Sequence, residues 1–538
     1  MRSHHFSLSA SQRLNSIRFS AKGAMQLLTT FLVFSLCLFF PSPATAVSPH
    51  IYDVPQAGPP GSQTQTVGNG WDPNATIDIY FDSTDVGLVD TDNNGSFGMA
   101  LRAPTIRQNG LTIQVPKDAV PGQHWITAVE RITQLQAQVA FTVRTDWPQF
   151  HLEPDHTGFN SFENVLNPET VGNLTVRWKY PTIYDVSGTP VVANGVVYFG
   201  FDYQYELGGL YAVDASTGSL RWKYPCWWWA SGSPAVVNGV VYFNTVDNYL
   251  NAVDALTGVL LWRHSIPLNY SSPPAVVNGV VYVAANQDYI YALEASTGAQ
   301  LWEFAVESMS SVPTPPAVSG GVVYFGSDDG YLYALDAGTG ALLWKSPVGS
   351  SPYPTAAPAV ANGVVYIGTL YTGLYALNAS TGGFMWKYAT QGFILGTPAV
   401  ANGVVYFGAG YADDNVYALD AGTGALLWKF ATGQDPTSPA VGNGLVYFGS
   451  FDDNVYALNA GTGQLLWKYT TGAGIVSSPA VVNGMLYIGS SDNNFYAFGL
   501  PQQEMSEKFS PPERPDPARL TPNWPLQPNS TVTPPLKK

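Results

Sequence analysis

Thirteen residues, YALDAGTGALLWK, occupy positions 333–345 and recur letter for letter at 417–429, with a looser copy, YALNASTGGFMWK, midway at 375–387. A fixed interval of 42 residues dictates a modular fold in which each unit packs on its neighbours. Aligned on tryptophan, the unit reads W-K-Y, a variable stretch, S-P-A-V-V-N-G-V-V-Y-F-G, a second variable stretch, then Y-A-L-D-A-x-T-G-x-L-L-W. Trp178, Trp222, Trp262, Trp302, Trp344, Trp386, Trp428 and Trp467 mark it eight times at steps of 39 to 44 residues. Each unit holds four short β-rich runs, around PAVV, VVYFG, YALDA and LLWK, separated by turn signals. Four short strands per unit of about 40 residues predict an all-β chain built as an eight-bladed β-propeller of four-stranded blades.

Two separations inside the unit never vary. From the Pro of PAV to the Tyr of VVY it is 8 in every unit, as in Pro190 to Tyr198, and from the Ala of YA to the next Trp it is 10 in all seven complete cases, as in Ala212 to Trp222. Two others do vary: Trp to Pro runs from 11 to 14 residues and Tyr to Ala from 10 to 14. In an up-and-down blade the turns joining strands one to two and three to four share one face of the disc, and the other connections share the opposite face. The constant turns are Asn-Gly, the dipeptide of a type I′ hairpin with positive φ at both central residues, and Thr-Gly, whose glycine also takes conformations denied to other residues. Loops carry function on a rigid scaffold, so the face with variable loops is the expected binding face. The array predicts its own closure as well. The last unit ends at Phe498 with no TG-x-x-x-W, and the first Trp, in LTVRWKY, has no YALDA before it. Pairing the two ends supplies the missing outer strand and removes an exposed edge.

The flanks differ in kind. Residues 1–46 carry Arg2, Arg13, Arg18 and Lys22, no acid, then MQLLTTFLVFSLCLFF and a stretch ending Ala44-Thr45-Ala46. This is the pattern of a secretory signal cleaved after Ala46, with a signal anchor as the alternative; its apolar run of sixteen is shorter than the roughly twenty residues that span a bilayer. The expected location is therefore extracytoplasmic, in the periplasm, at the cell surface or secreted, with no membrane span after cleavage. Residues 48–145 read as a small β-sandwich of seven short strands, 146–499 as the propeller, and 500–538, rich in proline, as a flexible tail. Loss of the leader moves the net charge from −15 to −19 (19 basic against 38 acidic residues), which opposes nucleic acid and anionic membranes as partners. Only Cys226 remains outside the leader, so no internal disulfide forms. Asp90-Thr91-Asp92-Asn93-Asn94-Gly95 mimics the start of a calcium loop, but its twelfth position is Leu101 rather than Glu, and a hairpin turn is the reading preferred.

The repeat A-x-D-A-x-T-G-x-x-x-W, together with DWPQF (146–150) and HTGFN (156–160), resembles the quinoprotein-type propellers built from pyrroloquinoline quinone (PQQ) repeats, over about 146–498. DTDNNGSFG and VPGQHWITA resemble bacterial immunoglobulin-like modules. The propeller resemblance implies that each repeat Trp docks between neighbouring blades over the motif glycine. A buried Trp withdraws roughly 200 Å² from water, an upper bound of about 5 kcal/mol. Enzymes of that family hold PQQ in the central funnel, with calcium on Glu and Asn, an Asp base and a disulfide between adjacent cysteines. Here there is no adjacent pair, and Asn269, Asp185, Asp435 and Glu307 come from separate units with no motif around them. The five histidines outside the leader have no metal spacing, and no Gly-x-Ser-x-Gly elbow occurs. Neither catalytic nor metal residues are assigned, and no cofactor is expected; PQQ with calcium is the alternative.

Aromatic residues are what the variable face offers. The loops before PAV carry Tyr184, Trp227-Trp228-Trp229, Tyr270, Tyr353 and Phe393, and the other variable loops add Phe201, Tyr203, Tyr205, Tyr371 and Tyr411. Adjacent strand residues face opposite ways, so three consecutive tryptophans cannot all point inward. The candidate ligand-binding set is Tyr184, Asp185, Trp228, Trp229, Tyr270, Tyr353, Phe393 and Asp435, rings with occasional acids suited to stacking on sugars or gripping peptide side chains. The alternative is that these rings plug the funnel as core. The expected function is a non-enzymatic propeller recognising a glycan, peptide or partner protein, similar in kind to the cofactor-free propeller lipoproteins of bacterial outer-membrane assembly. A PQQ-dependent dehydrogenase and a structural cell-surface component are the alternatives.

Overall fold

A computed structural model describes residues 48–98, 111–201, 208–226, 233–245, 247–266, 272–285, 289–306, 314–349 and 356–521. Eight antiparallel sheets follow one another along the chain from residue 175 to residue 499. The first blade is Val191–Ala193, Val196–Phe201, Gly208–Asp214 and Leu220–Cys226, and the sixth is Ala399–Ala401, Val404–Ala409, Asn415–Asp420 and Leu426–Ala431. The three inner strands are almost wholly buried, because PAVV, VVYFG and YALDA are apolar on both faces and each blade is packed between two others. The fourth strand alternates exposed and covered residues, since the rim meets solvent on one side. In each of the seven complete units a bulge interrupts the pairing of strands three and four, as between Ala418/Leu419 opposite Leu426 and Trp428. The extra residue turns two successive side chains outward, so Leu426 and Leu427 are both exposed.

Both constant turns lie side by side. In the second blade Asn238 (φ 51) and Gly239 (φ 78) make the first hairpin. Asp254 Oδ1 caps the second turn, accepting from Thr257 N at 2.8 Å and Thr257 Oγ1 at 2.7 Å. Ala255 N then donates to Gly239 O at 2.8 Å and ties one turn to the other.

The same alanine clamps the neighbouring blade. Trp222 Nε1 and Tyr198 OH, both from the first blade, donate to Ala255 O at 2.9 and 3.1 Å. A Cβ on Gly258, at φ +70, would stand 2.7 Å from the Trp222 ring, so the ring occupies the space that a side chain would take. Trp178, Trp262, Trp302, Trp344, Trp386 and Trp428 repeat this donation to Ala215, Ala295, Ala337, Ala379, Ala421 and Ala460. Trp467 donates to Leu174 O at 3.1 Å, which joins the seventh blade to the eighth.

The ring is closed by its own first strand. Thr175–Pro181 pairs antiparallel with Asn494–Gly499, Lys179 opposite Tyr496, and so forms the outer strand of a blade whose other three strands end the array. Ahead of it, 147–160 crosses the inner strands of all eight blades. Val192 N donates to Trp147 O, Val236 N to Pro148 O, Val318 N to Pro154 O, Val360 N to Asp155 O, Val400 N to Thr157 O and Val441 N to Gly158 O, all at 2.7–2.8 Å. Val276 N donates to Gln149 Oε1 at 2.8 Å, and Asn160 Nδ2 reaches Val481 O at 2.9 Å. Innermost strands present a free edge, and this segment satisfies it blade by blade.

Residues 48–98 and 111–143 form a three-stranded and a five-stranded sheet sharing one core, with Ile51 and Ile113 from one and Ile77, Ile79, Ile126 and Phe141 from the other. Asp92 Oδ1 accepts from Asn94 N and Ser96 N, which closes the 90–95 stretch as a turn. The expectation of a flexible tail over 500–538 needs correction for its first part. Gln502–Lys508 is helical, Met505 and Phe509 pack on the propeller core, and the Arg514 guanidinium lies 4.6 Å from the Trp125 ring centroid. A few apolar anchors suffice there, because proline has little backbone freedom to lose. Residues 522–538 and residues 1–47, where the secretory signal is expected, lie outside the described residues.

Candidate functional site

On the variable face an arc of aromatic side chains crosses blades five and six. Tyr371 comes from the loop between strands two and three of the fifth blade, Phe393 from the loop leading into the sixth, and Tyr411 from the sixth blade's own two-three loop. Phe393 and Tyr411 stack with centroids 4.4 Å apart at 5°, and Tyr371 meets Phe393 edge-on at 5.1 Å. Tyr371 is 58% and Tyr411 66% exposed. Phe451, 45% exposed, lies on the seventh blade, where its N–H donates to Asp435 O at 3.0 Å.

The backbone explains why the rings meet. Phe393 and Gly410 exchange two hydrogen bonds, 3.1 and 2.9 Å, which bring the two loops of the sixth blade to one height. Asp435 Oδ1 accepts Tyr411 N at 2.6 Å, and a Cβ on Gly410 would fall 2.4 Å from that carboxylate, so only glycine fits. Within the loop Tyr411 (φ 47), Ala412 (φ 78) and Asp414 (φ 51) are all left-handed without being glycine. Each such residue costs on the order of 1 kcal/mol, and clusters of them mark places where the surroundings force a shape.

The acids of this face divide into two groups. Asp413, Asp452 and Asp492 are clasps: each accepts a backbone N–H from the preceding loop and the hydroxyl of the tyrosine four residues on, as Asp452 does from Gly433 N and Tyr456 OH, both at 2.7 Å. These bonds outweigh burial and hold the Asp452 and Asp492 carboxyls below their ordinary range. Asp414 and Asp435 are different. Burial, then the neighbouring Asp435 carboxyl, raises the Asp414 carboxyl above its ordinary value, while Asp435 Oδ1 is the acceptor for Tyr411 N.

Of the residues expected from sequence, Phe393 and Asp435 are thus joined through Tyr411. Asp185 is exposed on the loop into the first blade. Tyr184 is half-buried, its ring packed against the core that the first, seventh and eighth blades share. Trp228, Trp229, Tyr270 and Tyr353 lie outside the described residues. Phe451 is not among the residues expected from sequence, and Asp414 lies in an Asp-Asp-Asn run, 413–415, that reads as an Asx turn in preference to a calcium site. For Asp414 the signal was the sixth unit's longer Tyr-to-Ala separation, 12 residues instead of 10. Cys226 is a buried free thiol, pushed up to about 12 by burial, and is no nucleophile. At the opposite end a concavity of about 410 Å³ separates the N-terminal unit from 147–160, where Asp146 already faces Arg144 at 3.7 Å.

The PQQ_2 family profile, described as outer membrane protein assembly factor BamB, matches residues 173–269, 252–354, 328–438 and 412–501, more than half of the chain. The chain belongs to the PQQ_2 family. No curated protein matches it. Among solved structures it is similar to quinohemoprotein alcohol dehydrogenase from Comamonas testosteroni, with TM-score 0.57 and 17% identity over 66% of this chain and 80% of that one. A europium-containing methanol dehydrogenase gives 0.56 at 14% identity over 66% and 98%. BamB from Moraxella catarrhalis gives 0.51 at 23% over 61% and 98%. These likenesses show the propeller fold and quinoprotein-like repeats shared by assembly factors and dehydrogenases; at such identities they carry no activity across. Among the described residues no helix is long and apolar enough to cross a membrane.

Proposed function

We propose that this member of the PQQ_2 family is an exported, non-enzymatic propeller that binds a polypeptide partner on its variable face. The observation carrying this reading is the arc itself: Phe393 and Tyr411 stacked, Tyr371 edge-on, and more than half of each tyrosine in water. Large rings held rigid and exposed at the centre of a surface are what interface hot spots are made of. The matched family's description as an assembly factor supports a protein rather than a small molecule as ligand. The test is selection from a random peptide library and a glycan array with the full chain, repeated with Tyr371→Ala/Phe393→Ala/Tyr411→Ala. Peptides lost on the triple variant are expected. Peptide binders indifferent to it would overturn the reading, and ring-dependent glycans would move it to sugars.

Dehydrogenase chemistry is the alternative that the fold likeness implies, and binding is the reading we favour over it. Among the described residues no three His, Cys, Asp or Glu side chains converge as a metal requires, and Cys37 and Cys226, the chain's cysteines, are not adjacent. A quinone absorption band with dye reduction after addition of PQQ and calcium would reverse that judgement.

A further inference from the structure

Charge is segregated in this propeller. Between 146 and 499 the chain has nine basic residues, Arg177, Lys179, Arg221, Lys223, Arg263, Lys345, Lys387, Lys429 and Lys468, and 25 acidic ones. All nine basic residues lie on fourth strands at the rim. The variable-face loops hold none, whereas their described parts hold ten aspartates. A face of one sign focuses its potential and raises the local concentration of the opposite sign.

The rim shows what a base does in this molecule. Arg263 lies 4.4 Å from the Tyr249 ring centroid, Lys387 5.1 Å from Tyr375 and Lys345 5.3 Å from Tyr331. On the variable face the rings of Tyr371, Phe393 and Tyr411 stand beside the Asp414 and Asp435 carboxyls, with no Lys or Arg in any loop around them. Asp413, Asp452 and Asp492 tie loops and Asp435 Oδ1 holds Tyr411 N, yet no loop of this face carries a Lys or Arg to balance these carboxyls or Asp414.

Resting on the reading that the variable face binds a polypeptide, we propose that the partner is a cationic segment of another protein. Its Lys or Arg side chains lie over the Phe393 and Tyr411 rings and place their charge between Asp414 and Asp435. Aromatic stacking and cation–π attraction suit Arg best, and the surrounding aspartates steer its approach. Nucleic acid and anionic lipid are repelled by the same field.

The experiment measures anisotropy of labelled oligo-arginine, oligo-lysine and oligo-glutamate peptides of equal length against the full chain, its Asp414→Asn/Asp435→Asn variant and a charge-matched control, Asp118→Asn/Glu169→Gln. Asp118 and Glu169 are exposed and distant in sequence from the arc. The Asp435→Asn side chain keeps a carbonyl oxygen to accept Tyr411 N, so matching melting curves verify the fold. Oligo-arginine should bind best and oligo-glutamate not at all, with affinity falling as salt rises. The Asp414→Asn/Asp435→Asn variant should weaken binding by about tenfold, whereas the control stays within about twofold. Equal losses in both variants, or none in either, would overturn the proposal. Library-selected peptides separate it from the broader reading. If they depend on Tyr371, Phe393 and Tyr411 but are neutral or acidic and ignore Asp414→Asn/Asp435→Asn, the cationic partner falls and the binding face stands. Self-association abolished by Lys345→Glu would also overturn it, by making the rim of a second copy the ligand.

Discussion

The two faces of the propeller are made from the same strands and put them to different use. On the constant face the first turn is Asn-Gly in seven blades and Gly320-Gly321 in the fourth, the Thr-Gly turn of each complete unit is capped by Asp, Asn or Glu and hydrogen-bonded to the first, and the 147–160 segment crosses every innermost strand. On the variable face the loops differ in length and leave stacked rings in water. Where spacing is invariant the turns are satisfied within the chain; where it varies, side chains remain to be satisfied by something else. Stability should therefore reside on the first face and binding on the second.

The harshest way to break this contrast is to delete 147–160. Seven valine N–H groups on the inner strands lose their acceptors at once. At about 1–3 kcal/mol for each donor left unsatisfied, the loss matches the whole stability of a domain, about 5–15 kcal/mol. No cooperative melting transition should remain by circular dichroism; an intact one would show that water replaces the segment without cost.

Next in size is a single wedge. Trp386 is 8% exposed, donates to Ala421 O at 3.0 Å and covers Gly424. Trp386→Ala should lower the denaturation free energy by about 3–5 kcal/mol, read from urea melts. A loss near 1 kcal/mol or less would mean that the Tyr366 hydroxyl, which donates to the same carbonyl at 3.0 Å, holds the blades without it.

Acid should find the constant face first. His151 and His156, inside the 147–160 segment, are fully buried; burial pushes His151 down to about 3 and His156 down to about 4. The unfolded chain takes up both protons near pH 6.5, the folded chain not until pH 4 and below. Their contribution to stability is whole above 6.5 and is lost as pH falls, at up to about 2.7 kcal/mol per pH unit while both are protonated only in the unfolded state. Glu163 works in the opposite sense, since burial raises its carboxyl and the folded chain keeps a proton that the unfolded one gives up. The comparison is therefore between the wild type and His151→Asn/His156→Asn, since asparagine tolerates the left-handed backbone at φ 54 and 59. The variant should be less stable at neutral pH but lose less on going to pH 5. Parallel pH profiles would sink the assignment.

How far these differences were legible in the sequence follows from what is periodic. The strands, both faces and the closing strand could be read because each repeats at a fixed separation, and Thr175–Pro181 against Asn494–Gly499 is where two incomplete copies make one. The role of 147–160 could not, since it is written once and its bonds reach Val318, Val400 and Val441, far along the chain. Nor could the paired exposed leucines, which depend on a bulge rather than on alternation. Phe393 and Asp435 were readable as variable-loop residues. That Tyr411 joins them depends on loop heights set by contacts such as Phe393 with Gly410.

The gentlest perturbation falls on the binding face, and there the contrast is sharpest. Tyr411→Gly removes a ring that is 66% exposed and frees a backbone held at φ 47. The lost stacking on Phe393 is worth about 0.5–1.5 kcal/mol, and glycine's ease in the left-handed region returns on the order of 1 kcal/mol. The two nearly cancel, so the urea midpoint should move by little, in contrast to the collapse expected of Trp386→Ala. Ring-dependent peptide binding, which has no such compensation, should be lost. A variant that melted several kcal/mol early would place Tyr411 among the structural aromatics, and the division of labour between the two faces would no longer hold.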